Sequence, residues 1–318
     1  MATHDGPEAA QSAGRTPAGS RPLIIGEVLF DVLPDGTRAL GGAPFNVAWH
    51  LQAFGLSPLV ITRVGADALG TQVLRAMEAW GMDTSGVQVD DRRPTGRVRV
   101  TLDGTEPSFD IRPDQAYDFL DGPRARAAVA GERFSLLYHG TLIARGDRSR
   151  AAVAALKEDE PGRRVFVDVN LRDPWWDVSI LRSAVRKATW LKVNAVELGV
   201  LAAQCGTGGQ GSLIDTATTM RTDFGLDTII VTRGRRGAVA VDGDGTFEST
   251  PPSTARVVDT VGAGDALSAV LILGVARKWP LGLGVERAVE FAAATCTIPG
   301  ATTSDRRLYT RLRDLGWW

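Results

Sequence analysis

Asp259-Thr260-Val261-Gly262-Ala263-Gly264-Asp265 runs directly into the apolar stretch Ala266-Leu267-Ser268-Ala269-Val270-Leu271-Ile272-Leu273-Gly274. Two glycines separated by one alanine at the head of a helical pattern let successive backbone N–H groups converge, which turns a helix N-terminus into an anion site. Asp265 falls in the first turn of that helix, where the dipole favours a carboxylate, and is placed to take a proton from a hydroxyl attacking a bound phosphate. The same seven residues also read as an ordinary glycine-rich loop with Asp265 as a first-turn acidic residue, so the surrounding chain decides.

Upstream of this run, residues 227–232 predict a buried strand ending in Thr232-Arg233-Gly234-Arg235-Arg236-Gly237, followed by alternating strands at 238–242 and 246–250. Small residues and turn glycines at that strand end suit a nucleotide groove, and the three arginines read as a solvated hairpin tip. Residues 190–193 predict another short buried strand. Asn194 caps the helix after it and Glu197 closes a capping box, which explains the pair without function. The same amide and carboxylate at a strand end would also organise water around a magnesium ion, which takes few protein ligands and many waters. Spacing alone leaves both readings open. Earlier, residues 164–170 predict a strand ending Asp168-Val169-Asn170, and Arg172 just beyond it is suited to clamp a phosphoryl group. The alternative for Arg172 is a salt bridge to Asp168 or Asp173.

At the N-terminal end, Leu23-Ile24-Ile25-Gly26-Glu27-Val28-Leu29-Phe30-Asp31 is a nearly continuous apolar run that predicts one central parallel strand. Asp31 falls at its far end, where ligands bind in open α/β sheets, although the Pro34-Asp35-Gly36 turn next to it offers plain turn chemistry instead. Gly41-Gly42-Ala43-Pro44 opens a helix; the double glycine permits close backbone approach to a ligand, and Asn46 both donates and accepts hydrogen bonds. Trp49, His50 and Phe54 in that helix read as a packed face. A strand over 58–64 and an amphipathic helix over 68–80 complete a βαβα beginning. From 86 to 111 the pattern turns short and alternating, which predicts an antiparallel sheet set apart as a lid; Arg97, Arg99 and Arg112 read as solvated residues on it. Strand and helix alternation resumes at 134–140, with His139 read as a structural donor, and continues with a helix at 148–157. Residues 207–211 read as a glycine-rich loop, 215–225 as a helix, and helices at 281–297 and 305–315 finish the chain.

Composition sets the outer bounds. The 318 residues are 44% hydrophobic and 23% charged, which fits a soluble globular protein with one large core, or one core plus an appended lobe. The 36 basic and 37 acidic residues give a net charge of -1, so there is no electrostatic case for nucleic acid or an anionic membrane surface. Cys205 and Cys296 lack the spacing of a disulfide framework or zinc site and read as buried free thiols. Residues 1–21 lack the apolar segment of a signal peptide, and no run of about 18 apolar residues occurs. The expectation is a cytoplasmic protein with a disordered tail over 1–21 and a single domain over 22–318, its lid formed by about 31–42 and 86–112.

Taken together, these segments resemble the ribokinase-like, PfkB-type carbohydrate kinases across roughly residues 22–315, and within them the fructokinases. Asp259 to Asp265 matches the DTxGAGD signature, and Gly41, Gly42 and Asn46 match GGxxxN. Asp168-Val169-Asn170-Leu171-Arg172 with Trp176 is similar to DxNxRxxxW, Asn194 and Glu197 to NxxE, and Thr232, Gly234 and Gly237 to TxGxxG. The resemblance implies an α/β fold, a three-layer αβα sandwich with a mostly parallel central sheet and a small β-sheet lid. It implies ATP-dependent transfer to a sugar hydroxyl, with Asp265 as base and the backbone of Gly262, Ala263 and Gly264 as anion hole. It further implies Arg172 on the transferring phosphate, and Asp31, Gly41, Gly42 and Asn46 on the sugar. Asn194, Thr232, Gly234, Gly237 and Gly264 would border the nucleotide, with Mg2+ held through water by Glu197 and, as in parts of the family, K+ near Asp259.

Gly26-Glu27 with Asp31, and Gly41-Gly42-Ala43-Pro44, carry the similarity to fructokinases and equally to 2-keto-3-deoxygluconate kinases. The expected substrate is a ketohexose, fructose first, with a 2-keto-3-deoxygluconate or nucleoside kinase as the alternative. A catalytically silent sugar-binding protein on the same fold is the alternative of a different class. The expected partners are the sugar and ATP, with the protein a monomer or homodimer. Thr297-Ile298-Pro299-Gly300-Ala301 departs from many relatives, which carry a basic residue after the threonine, and this bears on the adenine pocket.

Overall fold

The computed structural model describes residues 21–103, 106–159, 162–206, 211–252 and 257–318. The tail expected over 1–21, apart from Arg21, and the loop expected over 207–211, apart from Gly211, lie outside the described residues.

In chain order the strands are β1 (Leu23–Ile25), β2 (Leu29–Val32), β3 (Arg38–Gly41), β4 (Leu59–Gly65), β5 (Val87–Asp90), β6 (Gly96–Asp103), β7 (Glu106–Ile111), β8 (Leu136–Gly140), β9 (Arg164–Asp168), β10 (Trp190–Asn194), β11 (Thr228–Thr232), β12 (Ala238–Val241) and β13 (Thr246–Ser249). The helices are α1 (Ala43–Ala53), α2 (Ala68–Trp80), α3 (Gly122–Val129), α4 (Asp147–Glu158), α5 (Val178–Val185), α6 (Ala195–Cys205), α7 (Leu213–Asp223), α8 (Ala263–Arg277), α9 (Leu281–Thr295) and α10 (Arg307–Asp314). Helices α3 and α5 arise from segments in which no element was expected.

Nine strands form the central sheet in the order β13-β12-β11-β10-β9-β8-β1-β4-β5. It is parallel from β5 to β11, and β12 and β13 close one edge as antiparallel strands. Successive residues of a strand point to opposite faces, and the buried core divides accordingly. Ile24, Val60, Tyr138, Phe166 and Ile230 pack on one face with α1, α2, α8, α9 and α10. Leu23, Ile25, Leu137, Val167, Leu191 and Ile229 pack on the other with the remaining helices. This is the expected ribokinase-like three-layer sandwich. Strands buried on both faces must be apolar throughout, which is why they read as continuous apolar runs.

A second sheet has the order β3-β2-β6-β7. Strand β2 pairs antiparallel with β3 and parallel with β6, and β6 pairs antiparallel with β7. Two expectations change here. The run 23–31 is not one strand: β1 ends at Ile25 in the central sheet, and β2 begins at Leu29 in the small one. At the break α1 packs so closely on the chain that a Cβ on Gly26 would lie 2.1 Å from Pro44 Cγ, so only glycine fits there. Asp31 therefore stands on the small sheet. Residues 87–90, read as part of the alternating lid segment, instead pair parallel with β4 at the edge of the central sheet. Arg97, Arg99 and Arg112 are exposed on the small sheet, as expected. Trp49, His50 and Phe54 pack as a face against Trp80, Phe291, Tyr309 and Trp318. Cys205 and Cys296 are free thiols but only partly buried, because each lies at the end of a helix.

Candidate functional site

Helix α8 begins at Ala263 with Gly262 as its N-cap at φ 77°, and no side chain caps it. That left-handed conformation suits glycine, and a Cβ there would also lie 2.4 Å from Ala301 Cβ. The first-turn N–H groups of a helix have no intrahelical partner, so this uncapped end presents donors for an anion. The Ala263 N–H turns back to Thr260 O at 3.3 Å, a long contact that leaves it only weakly engaged. Asp259 organises the approach: its Oδ1 accepts from Val261 N and its Oδ2 from Gly300 N, each at 3.0 Å. The divergent segment 297–301 is thus what the motif packs against.

Asp265 sits in the first turn of α8 and is 9% exposed. Its Oδ2 accepts a 2.8 Å hydrogen bond from Asn46 Nδ2 in α1. Burial pushes its pKa from 3.8 up to about 6; the Asn46 bond and the charges of Lys192 and Arg172 pull it down, and Asp168 pushes it up. Around it Asp31, Gly41, Gly42 and Asn46 come together. A Cβ on Gly41 would lie 3.7 Å from Asn46 Oδ1 and 3.8 Å from Asp31 Oδ2, so Asp31, Gly41 and Asn46 share one corner. Gly42 caps α1 at φ 108°, and a Cβ there would meet the Glu27 carbonyl oxygen at 2.6 Å. The Asp31 carboxyl is raised above its ordinary value by burial and held down by Arg172.

Strands β9, β10 and β11 bring the remaining residues to one rim, since Asp168 pairs with Lys192 and Asn194 with Thr232 in register. Neither carboxylate proposed as a partner for Arg172 takes it: Asp168 pairs with Lys192, and Asp173 Oδ1 accepts from Trp176 Nε1 at 2.7 Å. Arg172 is exposed and its charge reaches Asp265, Glu27 and Asp31. Asn194 and Glu197 form the full capping box. Asn194 Oδ1 accepts from Val196 N and Glu197 N, and Glu197 Oε2 accepts from Asn194 N at 2.8 Å. Glu197 Oε1 also accepts from Leu171 N, which ties the loop after β9 to α6. Thr232 ends β11, with Gly234 in the turn after it; Gly237 is pressed against the β13 backbone, 1.9 Å from Ser249 O were a Cβ present.

Two residues of the site carry no role in the sequence reading, although Glu27 is part of the likeness to fructokinases. Lys192 is buried beneath the anion turn: its Nζ donates to Asp168 Oδ2 at 2.6 Å and would be 3.2 Å from a Cβ on Gly264. Asp168 Oδ2 also accepts from Tyr138 OH at 3.1 Å and from Ser268 Oγ at 2.9 Å, which fixes the pair from three elements. Glu27, 4% exposed, follows β1 and faces Asp265, Arg172 and Arg145; burial raises its pKa to about 7. A lysine or glutamate inside a strand-like apolar run was the available signal, because such charges are seldom buried unpaired. His139 is buried and neutral, its Nδ1 on Gly140 O at 2.7 Å, in keeping with a structural role.

Residues 31–307 match the pfkB family of carbohydrate kinases. The chain belongs to this family. It is 29% identical over 265 residues to a fructokinase of Klebsiella pneumoniae, covering 80% of this chain and 83% of that one. It is 27% identical over 306 residues to the aminoimidazole riboside kinase of Salmonella typhimurium, covering 88% and 90%. Among solved structures, a sugar kinase from Pyrococcus horikoshii in complex with ATP superposes with a TM-score of 0.76 at 25% identity, covering 88% of this chain and 93% of that one. The pfkB chain described here is accordingly an ATP-dependent carbohydrate kinase, and this sets aside the silent binding protein. Among the described residues no helix is long and apolar enough to cross a membrane.

Proposed function

We propose that this kinase transfers the γ-phosphoryl group of ATP to a hydroxyl of a ketohexose, with fructose as the first candidate. The observation that carries the acceptor class is the wall facing Asp265. It consists of Glu27, Asp31 and Asn46, which are hydrogen-bonding and acidic, and the buried cation next to them, Arg145, is already bound to Asp118 by a 2.7 Å Nε–Oδ1 bond. In this reading Arg172 serves the phosphoryl group, so a carboxylate acceptor such as 2-keto-3-deoxygluconate would meet the acidic side chains of Glu27 and Asp31, whereas a neutral polyol needs donors and acceptors, which are present.

Asp265 is the base in this reading. It takes the hydroxyl proton as the oxygen attacks, and a pKa of about 6 keeps it ionised at neutral pH while strong enough to accept a proton. The first-turn donors of α8 and the Arg172 guanidinium stabilise the charge on the moving phosphoryl group, and positioning supplies much of the rest. In this reading Asn194, Thr232, Gly234, Gly237 and Gly264 border the nucleotide. The small sheet of 29–41 and 96–111 covers the acceptor and keeps water from taking the phosphate.

Both Glu197 oxygens already accept backbone N–H bonds, and no cluster of three or more metal-binding side chains occurs among the described residues. Each Glu197 oxygen keeps a lone pair beyond its backbone N–H bond, so the residue would hold Mg2+ only through water, as suits an ion that keeps most of its hydration shell; when bound, the ion would neutralise phosphate charge. Asp259, with both oxygens on backbone N–H groups, orders a loop whose carbonyls are the candidate ligands for K+. The deciding experiment measures ADP release with fructose, 2-keto-3-deoxygluconate and adenosine in parallel. Fructose is expected to give the highest kcat/KM, and preference for either other acceptor would refute the assignment.

A further inference from the structure

Glu27 lies where the chain leaves the central sheet for the small one, at 4% exposure. Its Oε2 is buried with no hydrogen-bond partner. A Cβ on Gly42 would be 3.4 Å from Glu27 Cγ, so the side chain runs beside the glycine turn that borders the acceptor corner. Two further polar atoms near it are also buried and unpartnered: Asn46 Oδ1, whose Nδ2 is spent on Asp265, and Arg145 Nη1. The rest of the Arg145 guanidinium is fully engaged. Nε and Nη2 donate to Asp118, Nη2 also donates to Tyr117 OH at 2.8 Å and to Arg112 O at 2.7 Å, and the plane lies 4.5 Å from the Trp175 ring centre.

Buried polar groups left unpaired are costly, and a folded chain retains few without a ligand or water to satisfy them. Here two acceptors and one donor are left open: Glu27 Oε2, Asn46 Oδ1 on the residue bound to Asp265, and Arg145 Nη1, whose charge acts on Glu27. A ligand that answers all three must offer hydroxyl hydrogens and an oxygen lone pair, as a polyol does.

We propose that Glu27 is a specificity-determining residue: its Oε2 accepts a hydrogen bond from an acceptor hydroxyl other than the one phosphorylated, with Arg145 Nη1 donating to an oxygen beside it. This rests on the reading of the site as a sugar kinase. Arg145 is held by Asp118 and Tyr117, so it is a fixed donor rather than a mobile clamp. A site built to bind a hydroxyl in this way rejects analogues that lack it far more strongly than a greasy pocket rejects a methylene.

The test crosses Glu27→Gln with a set of monodeoxyfructoses, measuring kcat, KM for sugar and KM for ATP on the full chain. On fructose, Glu27→Gln is expected to raise the sugar KM about 10- to 100-fold and to leave the ATP KM unchanged. For one deoxy sugar whose missing hydroxyl is not the transferred one, wild type and variant become equal. A purely structural role predicts the same loss on every sugar, and that result, or unchanged kinetics, overturns the proposal. The acid limb of kcat/KM supplies a second readout. The groups facing Glu27 are Asp265 from α8, Arg172 after β9, Arg145 after β8 and Tyr117, and only the two carboxylates titrate near neutrality. Wild type should lose activity through two ionisations as pH falls, and Glu27→Gln through one. Should Glu27→Gln fail to fold, Glu27→Asp, which withdraws the carboxylate by one methylene, carries the same cycle. If wild type ignores fructose but phosphorylates another acceptor, the substrate assignment fails; the cycle is then run on the deoxy forms of that acceptor, with the same outcomes deciding Glu27.

Discussion

Replacing Asp265 with asparagine separates catalysis from folding, because the structure assigns opposite signs to the two effects. The amide keeps the size of the carboxylate and can still accept from Asn46 Nδ2, which lies 2.8 Å from Oδ2 in the native chain. It cannot take a proton at neutral pH. Loss of a general base costs about 100- to 10,000-fold in turnover, so kcat measured by ADP release should fall at least about 100-fold with little change in sugar binding. Stability should move the other way. Burial lifts the Asp265 pKa from 3.8 to about 6, and the interval corresponds to about 3 kcal/mol against the ionised form.

The direction follows from proton linkage. Between pH 3.8 and about 6 the folded chain binds a proton at this site that the unfolded chain has released, so folding weakens as pH rises through that window. Above it the native protein carries the whole penalty, and the asparagine variant carries none. At pH 8 Asp265→Asn should therefore unfold at a higher temperature, by up to about 2–4 °C for each kcal/mol. The gap should close as pH falls towards 4. Two results would refute the reasoning separately. Near-normal turnover removes Asp265 as the base, and a variant less stable than wild type at pH 8, with no convergence at pH 4, removes burial as the cause of the shift.

Lys192→Met leaves Asp168 buried beside only Tyr138 and Ser268, and should cost about 3–5 kcal/mol in urea unfolding, the usual loss for breaking a buried ion pair from one side. Combining it with Asp168→Asn should recover most of that loss, which a double-mutant cycle reads directly. His50 is fully buried between Tyr309 OH and Ala301 O, and burial lowers its pKa from 6.5 to about 4. Its contribution is complete above pH 6.5 and is lost as pH falls towards 4, by up to about 3 kcal/mol. His50→Gln should flatten that part of the stability–pH curve, and an unchanged curve would place the acid sensitivity elsewhere.

Most of the central sheet was legible because its inner strands are buried on both faces and so must be short apolar runs, and α8 because a long apolar run follows Gly262 to Asp265. Asn194 and Thr232 followed, since a strand end fixes where its last side chain stands, whereas Arg172 lies in the loop beyond β9. What could not be read were consequences of packing between distant segments. The run 23–31 has the composition of one strand, yet it divides after Ile25 and carries Asp31 to the small sheet, with Gly26 packed too closely against Pro44 for any side chain. Arg172 had two carboxylates within a few residues, yet Lys192, on the neighbouring strand, takes Asp168, because parallel register sets the two side by side. That exchange has a chemical consequence. With Asp168 neutralised by a buried lysine, Arg172 is left to face Asp265, Asp31 and Glu27. In the proposed mechanism that leaves Arg172 to meet the phosphoryl group, because another cation has satisfied Asp168.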